Sequence, residues 1–360
     1  MSKVNFFIAG FIALALVSCG TTKNAASSAE RASVPDWVTG SCAAYPRSEY
    51  LTGTGSAADK RAAEIDAINE LVAVFGQKVT SAANASHRME SARRAGVAAD
   101  AEITTLEQDI LREVSQDDII AVEIPEFFES KKEGRWYALA VMSREKGAGI
   151  YSSMIEKNEA EVSAIMTQIS AEREPNTMLN FSRLDFAEEI ARTDEKYLKR
   201  LAVLNPSAAK KYDPTHTPAQ IHKIKAEMAA RIPVCVSVSE ESAESADADG
   251  RIAKSFQEVM SDSGFCTTLG TNERYVIDCK IHYTRGESAD KKTQFCEYAA
   301  ECALIDTFSG ETLIPLSVTG REGSPTYQNA QARARQKISA KVKSDFAREF
   351  QKYLGDFSSF

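Results

Sequence analysis

The chain has 360 residues, a formal net charge of −8 and a hydrophobic fraction of 43%. This length suits two domains with connecting structure, and the hydrophobic fraction suffices for a buried core in each of them. Affinity for nucleic acid depends mostly on clustered Lys and Arg, so the acidic balance argues against a nucleic-acid-binding protein.

The first eighteen residues have the features of a bacterial signal peptide. Lys3 provides a short positive region, and an unbroken apolar run follows from Phe6 to Val17. A membrane-spanning helix needs about 20 apolar residues, so this run is too short to span and has the length of a signal-peptide core. We therefore assign residues 1–18 to a signal peptide.

The stretch Leu16–Cys19 resembles the bacterial lipobox, in which a small residue precedes a cysteine that becomes the acylated N-terminus. The alternative is an ordinary secretory signal that happens to end near a cysteine. Two or more acyl chains anchor a protein stably, since each buried methylene contributes about 0.8 kcal/mol. The resemblance predicts lipidation of Cys19, and Gly20 in place of Asp favours the outer membrane. Residues 19–33 are small and polar and are interpreted as a flexible tether.

The predicted N-terminal domain covers residues 34–146. A short strand is predicted at Glu49–Gly53, then a turn at Gly53–Ser56 and an amphipathic helix. Residues 80–100 are rich in Ala and Ser and are predicted to be extended or loosely ordered, and a second helix is predicted at Leu106–Val114. The apolar face of the first helix is predicted to consist of Ala58, Ala62, Ile65, Ile68, Val72, Phe75 and Val79.

Two strands are predicted next, at Ile119–Glu129 and Arg135–Ser143, with Lys131–Gly134 as the hairpin turn between them. Residues 147–231 are predicted to be helical, with a helical hairpin followed by a short third helix at Ile221–Met228. We interpret the hairpin either as an arm for partner binding or self-association, or as a spacer packed on its own chain.

Residues 232–360 form the predicted C-terminal domain. A strand at Val234–Val238 precedes a helix that ends at Gly264, then four strands, then a long helix whose apolar residues recur every four positions from Ala330 to Leu354. The order β-α-β-β-β-β-α predicts a helix-covered, mostly antiparallel sheet. The chain is therefore predicted to be of the α+β class, with a small α/β-layer domain, a central helical hairpin and this C-terminal domain.

Seven cysteines occur, so six remain when Cys19 is set aside, an even number that suits disulfides in an oxidising compartment. Connectivity cannot be read from the sequence, and six free thiols are the alternative. No CxxC or Cys–His spacing typical of a zinc site is present. Besides Cys42, the C-terminal candidates for disulfide bonding are Cys235, Cys266, Cys279, Cys296 and Cys302.

Residues Gly53–Ala58 fit the pattern G-x-G-x-x-A between a strand and a helix, as in a dinucleotide-binding fold. The acidic residue expected about 20 positions later is missing, because Val74–Lys78 continues the helix, so we interpret the motif as a tight strand-to-helix turn. No G-x-S-x-G motif appears. None of the usual metal-ligand spacings relates the four histidines, His87, His216, His222 and His282. We therefore predict no catalytic, cofactor-binding or metal-binding residue.

Four segments of the N-terminal domain together resemble the LPP-twenty family of bacterial lipoproteins. They are Pro35–Val38, Tyr50–Ser56, the Ala-rich helix that follows, and Trp136–Ala140, and the resemblance covers roughly a third of the chain. It implies a fold similar to the N-terminal part of a flagellar outer-membrane T-ring protein. It also implies an envelope role in structure or assembly rather than catalysis.

The lipobox and the lack of a catalytic constellation predict a lipid-anchored envelope protein, not an enzyme, with a structural, assembly or binding role at the outer membrane, facing the periplasm. The predicted partners are membrane lipid, through acylated Cys19, and an envelope protein or a second copy, through the helical hairpin. No cofactor and no nucleic acid are expected. Two other functions compete: an envelope-acting hydrolase, which needs convergent polar groups in a deep pocket, and a small-ligand carrier, which needs a large apolar cavity.

Overall fold

The computed structural model describes residues 34–40, 42–94, 119–241, 250–268, 273–286 and 292–355. The predicted signal peptide, the tether and the predicted helix at Leu106–Val114 lie outside these ranges. Within them, a small N-terminal sheet, a layer of helices and a larger C-terminal sheet confirm the α+β class. Among the described residues, no helix combines the length and the apolar character that a membrane span requires.

Eight strands and eight helices are used below under these names. The strands are β1 Tyr50–Ala57, β2 Val122–Ser130, β3 Arg135–Ser143, β4 Pro233–Glu241, β5 Cys266–Thr268, β6 Tyr275–Gly286, β7 Gln294–Asp306 and β8 Glu311–Ser324. The helices are α1 Lys60–Arg94, α2 Arg144–Ala171, α3 Met178–Leu204, α4 Pro206–Lys211, α5 Pro218–Ala229, α6 Arg251–Asp262, α7 Tyr327–Lys341 and α8 Ala347–Gly355. A 3-10 turn at Asp36–Thr39 precedes β1, and a π-helical turn at Val342–Phe346 joins α7 to α8.

The N-terminal sheet has the order β1-β3-β2 with antiparallel pairing throughout. The β2–β3 hairpin forms where it is predicted and turns at Gly134, whose φ of 63° suits glycine. One face of the sheet packs on α1. The opposite face is covered by the segment before β1, in which the buried Trp37 donates its indole N–H to Glu126 Oε2 at 2.6 Å.

Helix α1 approaches strand β1 closely because the two facing surfaces consist largely of small residues. The predicted turn at Gly53–Ser56 is wrong, since both glycines lie inside β1 and pair with alanines of β3. An added Cβ on Gly53 would lie 2.4 Å from the backbone nitrogen of Leu71. One on Gly55 would lie 2.0 Å from the backbone nitrogen of Ala67. The G-x-G pattern therefore serves helix–strand packing.

The buried face of α1 also differs from the prediction. Every fourth residue from Ala63 to Ala83 is buried, whereas Ile65 is 48% exposed. The helix continues to Arg94, so the prediction of an extended segment is wrong for residues 80–94. The alanines on the buried face allow the close approach to the glycines of β1, and this contact outweighs the burial of a larger isoleucine.

The C-terminal sheet has the order β5-β4-β6-β7-β8. Strands β6, β7 and β8 form long antiparallel pairs, whereas β4 is parallel to both of its neighbours. Helices α6, α7 and α8 contribute buried residues to the core on one face of this sheet. The predicted element order is confirmed, and the crossover through α6 explains why β4 and β5 are parallel.

Helices α2 and α3 form the predicted hairpin and belong to two hydrophobic cores. The N-terminal core lies between α1 and the small sheet, and the C-terminal core lies between the large sheet and its helices. The hairpin therefore packs extensively on its own chain. Its residues in the N-terminal core include Tyr151, Ile155, Leu201 and Leu204, and those in the C-terminal core include Val162, Ile169, Phe181 and Leu184.

We expect Gly55→Ala to destabilise the protein by about 3 kcal/mol, because the added methyl would overlap the backbone of α1 and force the helix away from the sheet. Urea and thermal unfolding measure this loss. Gly149→Ala in α2 is the matched control, since an added Cβ there meets none of the described atoms within 4 Å. That exposed helical position should gain about 0.5–1 kcal/mol. Equal stability of the Gly55 variant and the unmodified protein would contradict the close packing.

Candidate functional site

A group of buried ionisable side chains lies where the hairpin passes from one core to the other. On α3, Asp194 lies between Ala191, which is in the C-terminal core, and Leu201, which is in the N-terminal core. Asp194 is only 6% exposed. From α2, the side-chain amide of Asn158 donates to Asp194 Oδ1 at 2.7 Å. This pair therefore joins the two helices at the crossing point.

A cavity of about 40 Å³ adjoins Asp194. The Tyr212 hydroxyl donates to Glu159 Oε1 at 2.9 Å beside it. The Nδ1 atom of His216 is buried and has no hydrogen-bond partner within the described parts of the chain. Such a volume accommodates a few water molecules, whereas ligand pockets measure roughly 300–1,000 Å³. The ionisable residues that line it are Glu159, Asp194, Glu195, Tyr212 and His216.

The environment of Asp194 favours its neutral form. Burial raises the pKa of Asp194 to about 6, the hydrogen bond from Asn158 lowers it, and the negative charge of Glu159 raises it. Burial and the bond to Glu159 also raise the pKa of Tyr212, so this hydroxyl stays a donor. A carboxyl that titrates near pH 6 beside a cavity is a candidate for a functional group.

A second cluster of charges, one to two turns earlier on α3, is compensated by cations. Glu188 is 4% exposed, accepts a hydrogen bond from Lys225 Nζ at 2.7 Å and also pairs with Arg192. Lys225 Nζ lies 2.6 Å from Asp185 Oδ1, and His222 Nδ1 lies 3.3 Å from Glu188 Oε1. Burial opposes ionisation of Glu188, but the bonds from Lys225 and Arg192 outweigh it and lower its pKa. This cluster fixes α5 to α3.

The clusters around Asp194 and Glu188 are not predicted from the sequence, although the sequence contains one indication that Asp194 is unusual. Along α3 the buried Ala187, Ala191 and Leu201 follow helical spacing, and Asp194 falls on the same stripe. A carboxyl on the apolar stripe of a helix is a recognisable exception to the pattern. Its partners are not recognisable, because Asn158 and Tyr212 belong to other helical segments far away in the sequence.

A third polar group lies between the C-terminal sheet and α7. Arg335 donates from Nε to Glu240 Oε2 at 2.7 Å, and both side chains are nearly buried. The Tyr283 hydroxyl is buried beside this pair without a hydrogen bond of normal geometry, and the amide of the buried Gln331 has no partner among the described residues. Burial raises the pKa of the nearby Cys296 thiol, so Cys296 is an inert core residue rather than a nucleophile.

One pair of the predicted disulfide candidates is bonded. Cys279 and Cys302 lie directly opposite each other on β6 and β7 and form a disulfide. The assignment of Cys235, Cys266 and Cys296 is corrected, because all three are free, as is Cys42. The physical reason is the strand register, which within the described strands places no second cysteine opposite any of these three.

The histidines lie apart from one another. His216 borders the cavity, His222 adjoins Glu188, and His282 lies on the exposed face of the C-terminal sheet, 3.7 Å from Glu241. The side chain of His87 is outside the described part. In the parts that are described, no group of three or more His, Cys, Asp or Glu side chains has a metal-binding arrangement.

The outer face of the C-terminal sheet is open to solvent and carries two shallow depressions of about 340 Å³ each. Small residues alternate there with charged ones, as is usual for the solvated face of an antiparallel sheet. Several of the charges pair on the face itself. The charged residues and the histidine that border the depressions are Asp278, Lys280, Glu301, His282, Glu297 and Arg321.

Residues 35–143 match the sequence profile of the LPP20 lipoprotein family. The N-terminal domain is thus similar to this family and is called the LPP20 domain below. The matched range runs from the 3-10 turn through β1, α1 and β2 to the end of β3, so the predicted resemblance is confirmed for this part of the chain. The match supports a lipoprotein of the cell envelope. The likeness to a flagellar T-ring protein stays a prediction.

Solved structures resemble the chain only weakly beyond the LPP20 match. The secreted protein HP1454 from Helicobacter pylori is 13% identical, with a TM-score of 0.41, and the alignment covers 82% of this chain and 96% of HP1454. A minor lipoprotein from Acinetobacter baumannii is 11% identical, with a TM-score of 0.22, covering 35% of this chain and 94% of its own. No curated protein matches. At these TM-scores the likenesses support no inference about function.

We expect Lys225→Met to destabilise the protein by about 2–3 kcal/mol at pH 7, because Glu188 loses one of the two cations that it pairs with while it stays buried. The matched control is Lys223→Met on the same helix, where an exposed lysine lies 4.0 Å from Glu227 and its removal should cost less than about 0.5 kcal/mol. Urea unfolding compares the two variants. Equal stability would show that the cluster around Glu188 is not held by Lys225.

We expect iodoacetamide to label Cys266 but not Cys296 in the native protein, because Cys266 is exposed whereas Cys296 is buried with a raised pKa. After unfolding without reductant, Cys296 should react. Cys279 and Cys302 should stay unlabelled and appear by mass spectrometry as one cross-linked peptide. Label on Cys279 or Cys302 before reduction would contradict the disulfide.

Proposed function

We propose that this protein is a lipid-anchored envelope lipoprotein with a structural, assembly or binding role, and that it is not an enzyme. The supporting observation is the order of three segments. A signal-peptide-like stretch at residues 1–18 ends at the lipobox Cys19, a small polar tether follows, and the LPP20 domain begins at residue 35. This is the order of a folded domain held at a membrane surface by acyl chains.

The start of the LPP20 domain suits attachment to a tether. Val34 is exposed, and three residues later the buried Trp37 fixes the chain to the sheet through Glu126. Val34 lies fifteen positions after Cys19, a distance along the chain that reaches about 50 Å at full extension. The folded part can therefore stand clear of the lipid surface. We propose the periplasmic face of the outer membrane as its location.

The binding role is favoured over the two competing functions. The cavity beside Asp194 is far smaller than a substrate or carrier pocket, and the two larger depressions on the C-terminal sheet are shallow and open to solvent. The buried Cys296 is not an activated nucleophile. On α2, Ile150 and Met154 are exposed apolar residues one turn apart. We propose that this part of the hairpin contacts an envelope protein or a second copy of the chain.

We expect Cys19→Ala to lose its lipid and to move from the membrane fraction to the soluble fraction of cells, because sulfur is the atom that carries the acyl chains. Fractionation, together with mass spectrometry of the N-terminal peptide, measures both effects. Cys42→Ala is the matched control and should stay lipidated and membrane-bound. An unmodified Met1 start without a lipid adduct in protein from native cells would contradict the anchor.

A further inference from the structure

Residues 212–217 connect α4 to α5 and are named the strap here. Four of them, Tyr212, Pro214, His216 and Thr217, line the cavity beside Asp194. The strap is held at both ends. Tyr212 donates its hydroxyl proton to Glu159 of α2, and Thr217 forms a capping box with Gln220 at the start of α5. The strap therefore covers the cavity between two fixed points.

The strap lies at the point where both hairpin helices change cores. On α2, Asn158 and Glu159 follow Ile155 of the N-terminal core and precede Val162 of the C-terminal core. On α3, Asp194 occupies the equivalent position between the two cores. The strap therefore packs where the N-terminal and C-terminal halves of the molecule meet.

The charges at the junction are unbalanced. Of the described residues that line the cavity, none is a lysine or an arginine. The carboxyl groups of Glu159, Asp194 and Glu195 therefore line the cavity without a cation, and the negative charge of Glu159 disfavours ionisation of the buried Asp194. The titratable or polar groups that face Asp194 are Asn158 and Glu159 from α2, Glu195 from α3, and Tyr212 and His216 from the strap.

We propose that the strap and the crossing point form a pH-sensitive hinge, in which protonation of Asp194 closes the strap over the cavity and ionisation of Asp194 loosens it. The sign follows from the direction of the shift. The pKa of Asp194 is raised from 3.8 to about 6 in the closed, folded form, so that form prefers the proton. The contribution of the protonated Asp194 to closure is fully present below pH 3.8 and is lost as the pH rises through about 6.

Hydrogen–deuterium exchange between pH 5 and 7.5, corrected for the intrinsic exchange rate, tests the hinge in the purified protein. Peptides covering residues 206–217 should exchange roughly tenfold faster at the upper end, with a midpoint near pH 6. Asp194→Asn keeps the size of the side chain but cannot ionise, so its strap should stay protected throughout. Asp213→Asn, on the exposed side of the same strap, is the matched control and should keep the original profile.

Three results would overturn the hinge. One is exchange of the strap that does not depend on pH in the unmodified protein. Another is a midpoint that persists in Asp194→Asn and vanishes in His216→Gln, which would make the histidine the sensor. The third is a titration midpoint near pH 4 for the carboxyl carbon of Asp194, which NMR can follow in the unmodified protein. A midpoint near pH 6 supports the proposal, whereas one near pH 4 defeats it.

Discussion

The structure depends on one pair of helices that is buried in two hydrophobic cores at once. Leu184 of α3 lies in the C-terminal core and Leu204, at the end of the same helix, lies in the N-terminal core. Neither half of the molecule can move away without exposing apolar residues of the hairpin to water, which costs about 25 cal/mol for each Å². The LPP20 domain and the C-terminal domain are therefore joined by packing as well as by chain connectivity.

Two carboxyl groups on α3 show how partners decide the charge of a buried acid. Glu188 and Asp194 are both nearly inaccessible to water, so burial opposes ionisation of each. Around Glu188, Lys225 and Arg192 supply cations and the pKa falls; around Asp194, the amide of Asn158 compensates only in part and the pKa rises. The first acid fixes α5 to α3. The second stays titratable near the pH of many natural environments.

The parts of the fold that the sequence predicts are those set by local patterns. Alternation and turn residues place the β2–β3 hairpin, and helical periodicity places α3, because both signals act within a few neighbouring residues. The position of Gly55 inside a strand depends instead on the backbone of Ala67, which is a contact between different elements. The pairing of Cys279 with Cys302 depends on strand register in the same way. The cavity is formed by residues from three separate segments, α2, α3 and the strap, and their meeting cannot be read from local patterns. Only Asp194, a carboxyl on the apolar stripe of α3, could be recognised from the sequence.

The proposed anchor and the proposed hinge lie at different points along the chain, the anchor before the LPP20 domain and the hinge in the hairpin after it. With Cys19 in the membrane, the LPP20 domain would be the half that is nearer to the anchor along the chain, and the C-terminal domain would follow after the hairpin. The open sheet face around Lys280 and Glu301 belongs to this C-terminal domain. Loosening the strap would open the cavity beside Asp194 to water, while the hairpin buried in both cores still holds the two halves together. An external pH change would in this way act on the strap at the junction, without any change in the anchor itself.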